Sequence, residues 1–408
     1  MHLTFSWTLL SLLIGGSALA DTAPPPPPPP RDAANAQFWW RIDNPSPNPI
    51  DAPRSHYQPM ISLRGAPSEF LPIAAPNERT IPEAALEAAA KFVELSNGQA
   101  IIVVHRGVVQ LQRYYQGGDE KTEFSSASFA KTLGAAAIGV ALREGKIQSL
   151  DQQASQWLTE WRDPARQDIT VRQLLTMSGG FRNKPSRELG SHYIQMHYGA
   201  DVEAIVRAAP IAYPPGSDFA WDNDNSHALA LLLERATGKK FVDYVSEKIW
   251  QPLGADDGEQ MLDRPGGRAM AYCCLWAKPR DWIRVGQMLL NGGKWQQTRI
   301  LDESFVQELQ SPSAQNPYYG FTVNVGAAWK DDRLNRTARS NGDDKVGTIA
   351  PDLYYLSAAG GLQMAMVPSE DLLVLRVGKA SKAWRDHVLP NLLVSAIHAE
   401  RAIQSAKQ

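Results

Sequence analysis

The stretch Ser125-Ser126-Ala127-Ser128-Phe129-Ala130-Lys131 runs directly into the small-residue segment Thr132 to Leu142. A helix that begins at Ser128 places the Ser128 and Lys131 side chains on one face, one turn apart. An amine whose pKa is lowered by burial can accept the proton of a serine hydroxyl. The helix N-terminus adds free backbone N–H groups that can stabilise a developing oxyanion. The spacing therefore predicts a nucleophile and its base.

A structural alternative accounts for the same spacing. Ser128 could cap an ordinary helix, with Lys131 in solvent. The Ser-x-x-Lys pattern occurs once here, about as often as chance predicts for this length. Its setting favours the site, because a strand-like run, Ala100 to Val104, and Gly107 precede it and a long helical pattern follows.

The N-terminus has the pattern of a secretory signal peptide. A short apolar run, Leu9 to Ile14, precedes the triplet Ala18-Leu19-Ala20, although the preceding residues include no lysine or arginine. We expect residues 1–20 to be the signal peptide, which predicts a periplasmic or secreted protein. An uncleaved anchor is the alternative.

The rest of the chain divides by composition. The tract Pro24 to Pro30 predicts a stiff linker over residues 21–36. Residues 37–81 are rich in proline and predict an extended segment that wraps the main domain. That domain is expected over residues 82–408, with an α/β part (82–130 and 291–408) and a helical part (131–290).

The composition argues against several classes of partner. A net charge of −2 supplies no basic field for nucleic acid. No long apolar run predicts stable membrane insertion after signal cleavage. No metal-binding motif is present, and we expect neither a metal nor a cofactor. The two cysteines, Cys273 and Cys274, are adjacent and are expected to be mostly buried thiols, because neighbouring residues do not readily reach ordinary disulfide geometry. A redox-active vicinal pair is the alternative.

Hydrophobic periodicity predicts an α+β fold. Strand-like runs near both ends of the chain enclose a helical middle, so distant segments are expected to complete one sheet. The predicted strands are Ala100 to Val104, Val108 to Tyr115, Leu353 to Leu356, Gln363 to Val367 and Leu372 to Val377. The predicted helices include Pro82 to Leu95, Thr170 to Met177, Asn225 to Thr237, Phe241 to Trp250, Pro279 to Leu290 and Leu392 to Ala406.

An ordered series of further motifs, over roughly Pro82 to Gly378, resembles the serine β-lactamase and penicillin-binding-protein superfamily. The similarity is to the branch with class C β-lactamases, esterases and 6-aminohexanoate-dimer hydrolases. Besides the Ser128–Lys131 pair, the series contains Ile169 to Gly180, Pro214 to Ser217, Trp221-Asp222-Asn223, Gly238-Lys239, Pro252 to Gly254, Arg280-Asp281 and Pro368 with Leu372 to Arg376. The resemblance implies a mixed antiparallel sheet flanked by helices, with a helical second region and a cleft between them. It also implies acyl transfer through Ser128, with Lys131 relaying the proton.

The chain departs from this family at Trp221, where relatives usually have the tyrosine of a Tyr-x-Asn triplet. An indole N–H donates only and cannot be a base. Three interpretations stay open: Lys131 is the sole base; Asp222 or one of Tyr193, Tyr198 and Tyr213 enters the cleft; or catalysis is impaired. Asn223 is expected either to donate to a substrate carbonyl or to cap the following helix.

A second departure lies in the late motif, Ser357 to Gln363, which lacks the lysine or histidine of β-lactamase relatives. This argues against efficient penicillin hydrolysis and against a cell-wall peptidase. Gly360 and Gly361 are expected to border the substrate, near the second amide of the oxyanion hole. The sequence thus predicts a serine hydrolase acting on a small ester or amide. The alternative is a catalytically impaired ligand-binding protein on the same scaffold.

Overall fold

The computed structural model describes residues 27–45, 52–182, 186, 188–199, 201–326, 349–379 and 381–406. The expected signal peptide, residues 1–20, lies outside these ranges, as do residues 21–26 of the predicted linker.

A six-stranded antiparallel sheet forms the centre of the α/β part. Its strands are β2 (Gly98–His105), β3 (Val108–Tyr114), β9 (Asn324–Val325), β10 (Tyr354–Ala358), β11 (Leu362–Val367) and β12 (Leu372–Gly378). Their spatial order is β3-β2-β12-β11-β10-β9, so the early hairpin pairs with strands from the end of the chain. This confirms the predicted α+β fold and the sheet completed by distant segments.

Both faces of this sheet are buried, and its central strands carry apolar residues at successive positions rather than at alternate ones, with Gln363 and Arg376 among the buried polar exceptions. Ile101 and Val103 face the layer formed by helices α2 (Glu83–Leu95) and α11 (Val388–Ala406). Ile102 and Val104 face the opposite layer, where helix α9 (Pro279–Leu290) packs. Because successive side chains of a strand point to opposite faces, alternate residues of each strand pack into two separate cores.

The middle of the chain is mainly helical but also contains strands that were not predicted from the sequence. β5 (Gly258–Met261) and β6 (Leu275–Ala277) form a second sheet with β1 (Met60–Leu63) and β4 (Phe124–Ser125), in the order β1-β5-β6-β4. The helices of this region are α3 (Ala130–Arg143), α4 (Val171–Leu175), α5 (His192–Tyr198), α6 (Val202–Arg207), α7 (Asn223–Thr237) and α8 (Phe241–Val245); the remaining elements are β7 (Lys294–Trp295), β8 (Thr298–Arg299) and α10 (Glu303–Leu309).

The segment expected to be an extended wrap contains regular structure. Helix α1 (Ala36–Asp43) buries Phe38 against Ile194, and β1 pairs with β5. The guanidinium of Arg41 is buried and donates to the carbonyls of His56, Gln58, Tyr198, Leu262 and Asp263. The segment is therefore tied to the helical region by both packing and hydrogen bonds.

None of the helices within the described ranges is both long and apolar enough to cross a membrane.

Two glycines of α3 provide a matched test of its packing. A methyl group at Gly139 would lie 2.7 Å from the Phe305 ring, whereas one at Gly134 would meet only the Phe241 ring, at 4.0 Å. Alanine gains about 1 kcal/mol of helix propensity over glycine, but overpacking costs about 1–3 kcal/mol. We expect Gly134→Ala to stabilise the protein by about 0.5–1 kcal/mol and Gly139→Ala to destabilise it by about 1–2 kcal/mol in urea unfolding. Equal shifts for the two variants would contradict this packing.

Candidate active site

Ser128 and Lys131 lie at the entry to the buried helix α3. Ser128 sits in the single 3₁₀ turn Ala127–Phe129, and the α-helix begins at Ala130 rather than at Ser128 as expected. The reason is local: Ala127 has φ 42°, in the left-handed region, so the chain turns sharply before it becomes helical. The turn still brings the Lys131 Nζ to 3.3 Å from the Ser128 Oγ.

The Lys131 amine is buried among apolar and aromatic groups. Lys131 is 3% exposed, and its Nζ lies 2.8 Å from the carbonyl oxygen of Tyr272. Loss of hydration lowers the pKa of Lys131 to about 7, against the opposing influence of the Asp222 carboxylate. A solvated lysine, the structural alternative for the Ser-x-x-Lys pattern, does not fit this burial.

Trp221 covers the amine from the open side of the site. Its ring centroid lies 4.3 Å from the Lys131 Nζ, and the residue is 38% exposed. The indole also hydrogen-bonds the buried Tyr319, a contact that opposes the burial-raised pKa of that phenol. Trp221 therefore shields the amine without offering a proton acceptor.

The other groups considered as a replacement base are held by different contacts. Tyr213 donates its hydroxyl to the Phe181 carbonyl at 3.2 Å. The Tyr193 ring stacks on His197, with centroids 4.0 Å apart, and Tyr198 packs against the α1 cluster of Phe38 and Ile194.

Asp222 is the N-cap of α7, accepting the backbone N–H of Asp224 at 3.0 Å. Asp222 thus takes the capping role considered for Asn223, which is the first residue of the helix. Asn223 is partly buried, and its Oδ1 has no hydrogen-bond partner among the described residues.

Gly360 and Gly361 form the turn at the end of β10. Both have positive φ, 85° and 71°, and their carbonyls accept from the Arg376 guanidinium at 2.8 and 2.7 Å. β10 packs beside the Ala127–Phe129 turn that carries Ser128. The late motif therefore lies next to the Ala127–Phe129 turn, and its backbone is held by the Arg376 guanidinium.

Three features of this site were not predicted from the sequence. The first is the Tyr272 carbonyl beside Lys131. The second is His197, whose pKa is lowered by loss of hydration and by the charge of Lys131, against the opposing hydrogen bond to the Tyr193 carbonyl. Finally, the expectation of two buried thiols was wrong: Cys273 and Cys274 form a disulfide and are half-buried. The adjacent cysteines were the only visible signal for these features.

A family profile described as Beta-lactamase matches residues 88–386 of the chain. Among curated proteins, the 6-aminohexanoate-dimer hydrolase of Paenarthrobacter ureafaciens is 25% identical over 221 residues, covering 51% of this chain and 56% of the relative. Esterase EstB of Burkholderia gladioli is 28% identical over 183 residues, covering 41% of this chain and 46% of that esterase. The chain thus spans about half the length of the curated relatives that it matches.

Solved structures show the same fold. A putative 6-aminohexanoate-dimer hydrolase from Bacillus anthracis superposes with a TM-score of 0.65 at 18% identity, covering 88% of this chain and 96% of that one. A penicillin-binding protein from Bacillus halodurans gives a TM-score of 0.54 at 18% identity, covering 76% and 99%. These likenesses confirm the predicted β-lactamase/penicillin-binding-protein fold.

The buried amine makes stability depend on pH. Unfolded Lys131 keeps its proton up to about pH 10.5, whereas the folded form keeps it only below about pH 7. Unfolding therefore takes up a proton between these values, and the free energy of unfolding rises with pH there. From pH 7 to pH 9 we expect wild type to gain about 2 kcal/mol more stability than Lys131→Met in urea unfolding. The exposed Lys121 provides the control variant, Lys121→Met, which should follow wild type; parallel curves for Lys131→Met and wild type would contradict the burial.

Proposed function

Because the chain belongs to the β-lactamase family, we propose that it is a serine hydrolase that cleaves an ester or amide through an acyl-enzyme on Ser128. The observation that carries the proposal is the contact between the Ser128 Oγ and the Lys131 Nζ, an amine whose pKa is lowered to about 7. A base with a pKa near the working pH combines a populated neutral form with strong proton affinity. Lys131 is therefore the general base, and no phenolate is required.

The reaction needs two proton transfers through the same amine. Neutral Lys131 accepts the hydroxyl proton as the Ser128 Oγ bonds to the substrate carbonyl carbon. The resulting ammonium then donates that proton to the leaving oxygen or nitrogen as its bond to carbon breaks. Water enters with Lys131 again as base, and Ser128 is released with the acid product. The Tyr272 carbonyl and the Asp222 carboxylate favour the transient ammonium.

The oxyanion that forms on the carbonyl needs donors on the other side of Ser128. The backbone N–H of Ser128 itself and an amide from the Ser357 to Gly361 stretch are the candidates, because β10 packs beside the nucleophile turn. Asn223 adds an amide at the N-terminus of α7, next to Trp221, and is assigned to the substrate carbonyl. These assignments are part of the proposal.

The names of the curated relatives support the proposal of ester or amide cleavage. One curated relative is named 6-aminohexanoate-dimer hydrolase and another is named an esterase. The late motif of this chain, Ser357 to Gln363, has no lysine or histidine to hold a β-lactam carboxylate. We therefore propose that penicillins and cell-wall peptides are poor substrates. Export by the predicted signal peptide, residues 1–20, belongs to the same proposal.

Covalent labelling tests the nucleophile directly. With a fluorophosphonate, a P–O bond forms at the Ser128 Oγ, the P–F bond breaks, and Lys131 takes the proton as fluoride leaves. Intact-mass spectrometry should show one adduct on wild type and none on Ser128→Ala. Lys131→Ala should label at least about a hundredfold more slowly, the usual contribution of a general base. If the folded wild-type protein stays unlabelled, the hydrolase proposal is wrong and the chain is better described as a ligand-binding protein.

Trp221 should set the pH at which the enzyme becomes active. Activity requires neutral Lys131, so the rate rises with pH through about 7. In Trp221→Ala, water reaches the amine and stabilises the ammonium form. The lost contact between the ammonium and the indole ring opposes this, but it is worth only about 0.5–1 kcal/mol, so the net effect is a higher pKa of Lys131. We expect the acid limb of kcat/KM for a p-nitrophenyl ester to move to higher pH by about one unit. Trp221→Phe keeps the aromatic cover and should keep the limb near its original position. A shift to lower pH in Trp221→Ala would contradict the shielding role.

A further inference from the structure

The segment that bears the disulfide lies directly against the nucleophile turn. Cys273 and Cys274 are joined by a disulfide one residue before β6 begins. Tyr272 precedes the pair, and its carbonyl is the acceptor beside the Lys131 amine. The pair therefore sits between the lysine's acceptor and the strand that follows.

Three of the four residues 272–275 contact the stretch from Ser126 to Lys131 through their backbones. The Tyr272 carbonyl faces the Lys131 Nζ at 2.8 Å, and the Cys274 N–H donates to the Ala127 carbonyl at 3.2 Å. Leu275 pairs with Ser126: its N–H donates to the Ser126 Oγ at 3.0 Å, and its carbonyl accepts the Ser126 N–H at 2.7 Å. The position of the dyad thus depends on the conformation of residues 272–275.

That conformation is unfavourable for an unconstrained chain. Cys274 has φ 74° and its partner Ala127 has φ 42°, both in the left-handed region that side chains disfavour. Each such residue costs on the order of 1–3 kcal/mol and persists only where its surroundings hold it. The bond between the Cys273 and Cys274 side chains closes a small ring that includes their peptide group, and this ring restricts the backbone at Cys274.

We propose that the Cys273–Cys274 disulfide is a positioning element for the Ser128–Lys131 dyad, and that a dithiol reductant slows hydrolysis by opening it. The inference rests on the proposed serine hydrolase function. In the reduced form Cys274 is free to leave the left-handed region. The Tyr272 carbonyl then moves away from the Lys131 amine, and the Ala127 carbonyl loses its donor.

The redox step is a thiol–disulfide exchange. A thiolate of the dithiol attacks one sulfur of the pair, and both cysteines are half-buried rather than enclosed. The protein S–S bond breaks and a mixed disulfide forms; the second thiol of the reductant resolves it. Two electrons and two protons pass to Cys273 and Cys274, and the reductant leaves as a cyclic disulfide. The oxidised dithiol reverses the reaction.

The composition of the chain makes the test clean. These are the only two cysteines in the sequence, so any effect of dithiothreitol on the protein's thiol state arises at this pair. Alkylation with iodoacetamide followed by intact-mass spectrometry should add no groups to the oxidised protein and two to the reduced protein. Far-UV circular dichroism checks that both forms stay folded.

The expected result is a fall in kcat without a matching change in KM. We expect reduction to lower kcat for a p-nitrophenyl ester by about ten- to a hundredfold, the effect of misplacing catalytic groups by about 1 Å. KM should change by less than about threefold, because the rest of the cleft is unaltered. Oxidation should restore kcat. Fluorophosphonate labelling of Ser128 should slow by the same factor as kcat.

Two variants separate positioning from general structure. Cys273→Ser/Cys274→Ser should show the low kcat of the reduced form and no response to dithiothreitol. Cys273→Ser/Cys274→Gly also lacks the disulfide, but glycine adopts positive φ without a steric penalty. It should recover part of the lost kcat relative to the double serine variant.

The outcomes distinguish this inference from the function on which it rests. An oxidised protein that labels and turns over, and a fully reduced protein that does so at the same kcat, would overturn the positioning role and leave the hydrolase intact. A lower kcat in the double serine variant with no recovery in the glycine variant would also overturn it. An oxidised protein that is folded but neither labels nor turns over would remove the hydrolase proposal, and this inference with it.

Discussion

Burial of the Lys131 amine is the constraint around which this site is built. Removing an ammonium from water is costly, and burial therefore lowers the pKa of Lys131 to about 7. The Tyr272 carbonyl, 2.8 Å from the Nζ, accepts a hydrogen bond from the buried amine. The helix that carries the lysine is buried at every position from Ala130 to Ala141. Its small residues allow α7 and α8 to approach closely. The alanine- and glycine-rich sequence is thus required by the same close packing that lowers the pKa of the lysine.

Irregular segments around this core are held by arginines that donate to backbone carbonyls. Arg41 joins α1 to the chain near Tyr198 and Leu262, and Arg376 joins the Gly360–Gly361 turn to Ser96 and Lys379. Arg284 does the same for Ser68, Glu69 and Leu253. Burial lowers the pKa of Arg41 and Arg376 to about 10, so both remain cationic at neutral pH. A planar guanidinium can satisfy several carbonyls at once, which lets loops be buried without regular structure.

The parts of this architecture that the sequence could predict are those with a local signal. The secondary structure of such segments can be predicted from a few neighbouring residues, as for the apolar run Ile101 to Val104 and the amphipathic α9. The Ser-x-x-Lys spacing likewise indicates the dyad. β5 and β6 were not predicted because they are only four and three residues long. Their strand conformation arises from pairing with each other and with β1. The Cys273–Cys274 disulfide was misjudged because the left-handed backbone at Cys274 depends on contacts with Ala127, which is distant in the sequence. Long-range pairing and unusual backbone conformations leave no period to detect.

The replacement of the usual tyrosine by Trp221 is consistent with a working site because of what a lone base must do. A single amine has to take the serine proton and then return it to the leaving group, so its pKa has to lie close to the working pH. A tyrosine beside the amine shares that task, whereas an aromatic cover without a base changes the hydration of the amine instead. The Trp221 ring centroid lies 4.3 Å from the Lys131 Nζ, so the ring excludes water from one side of the amine. Under the proposed function, the substitution moves the tuning of the base from a second titratable group to desolvation of the amine itself.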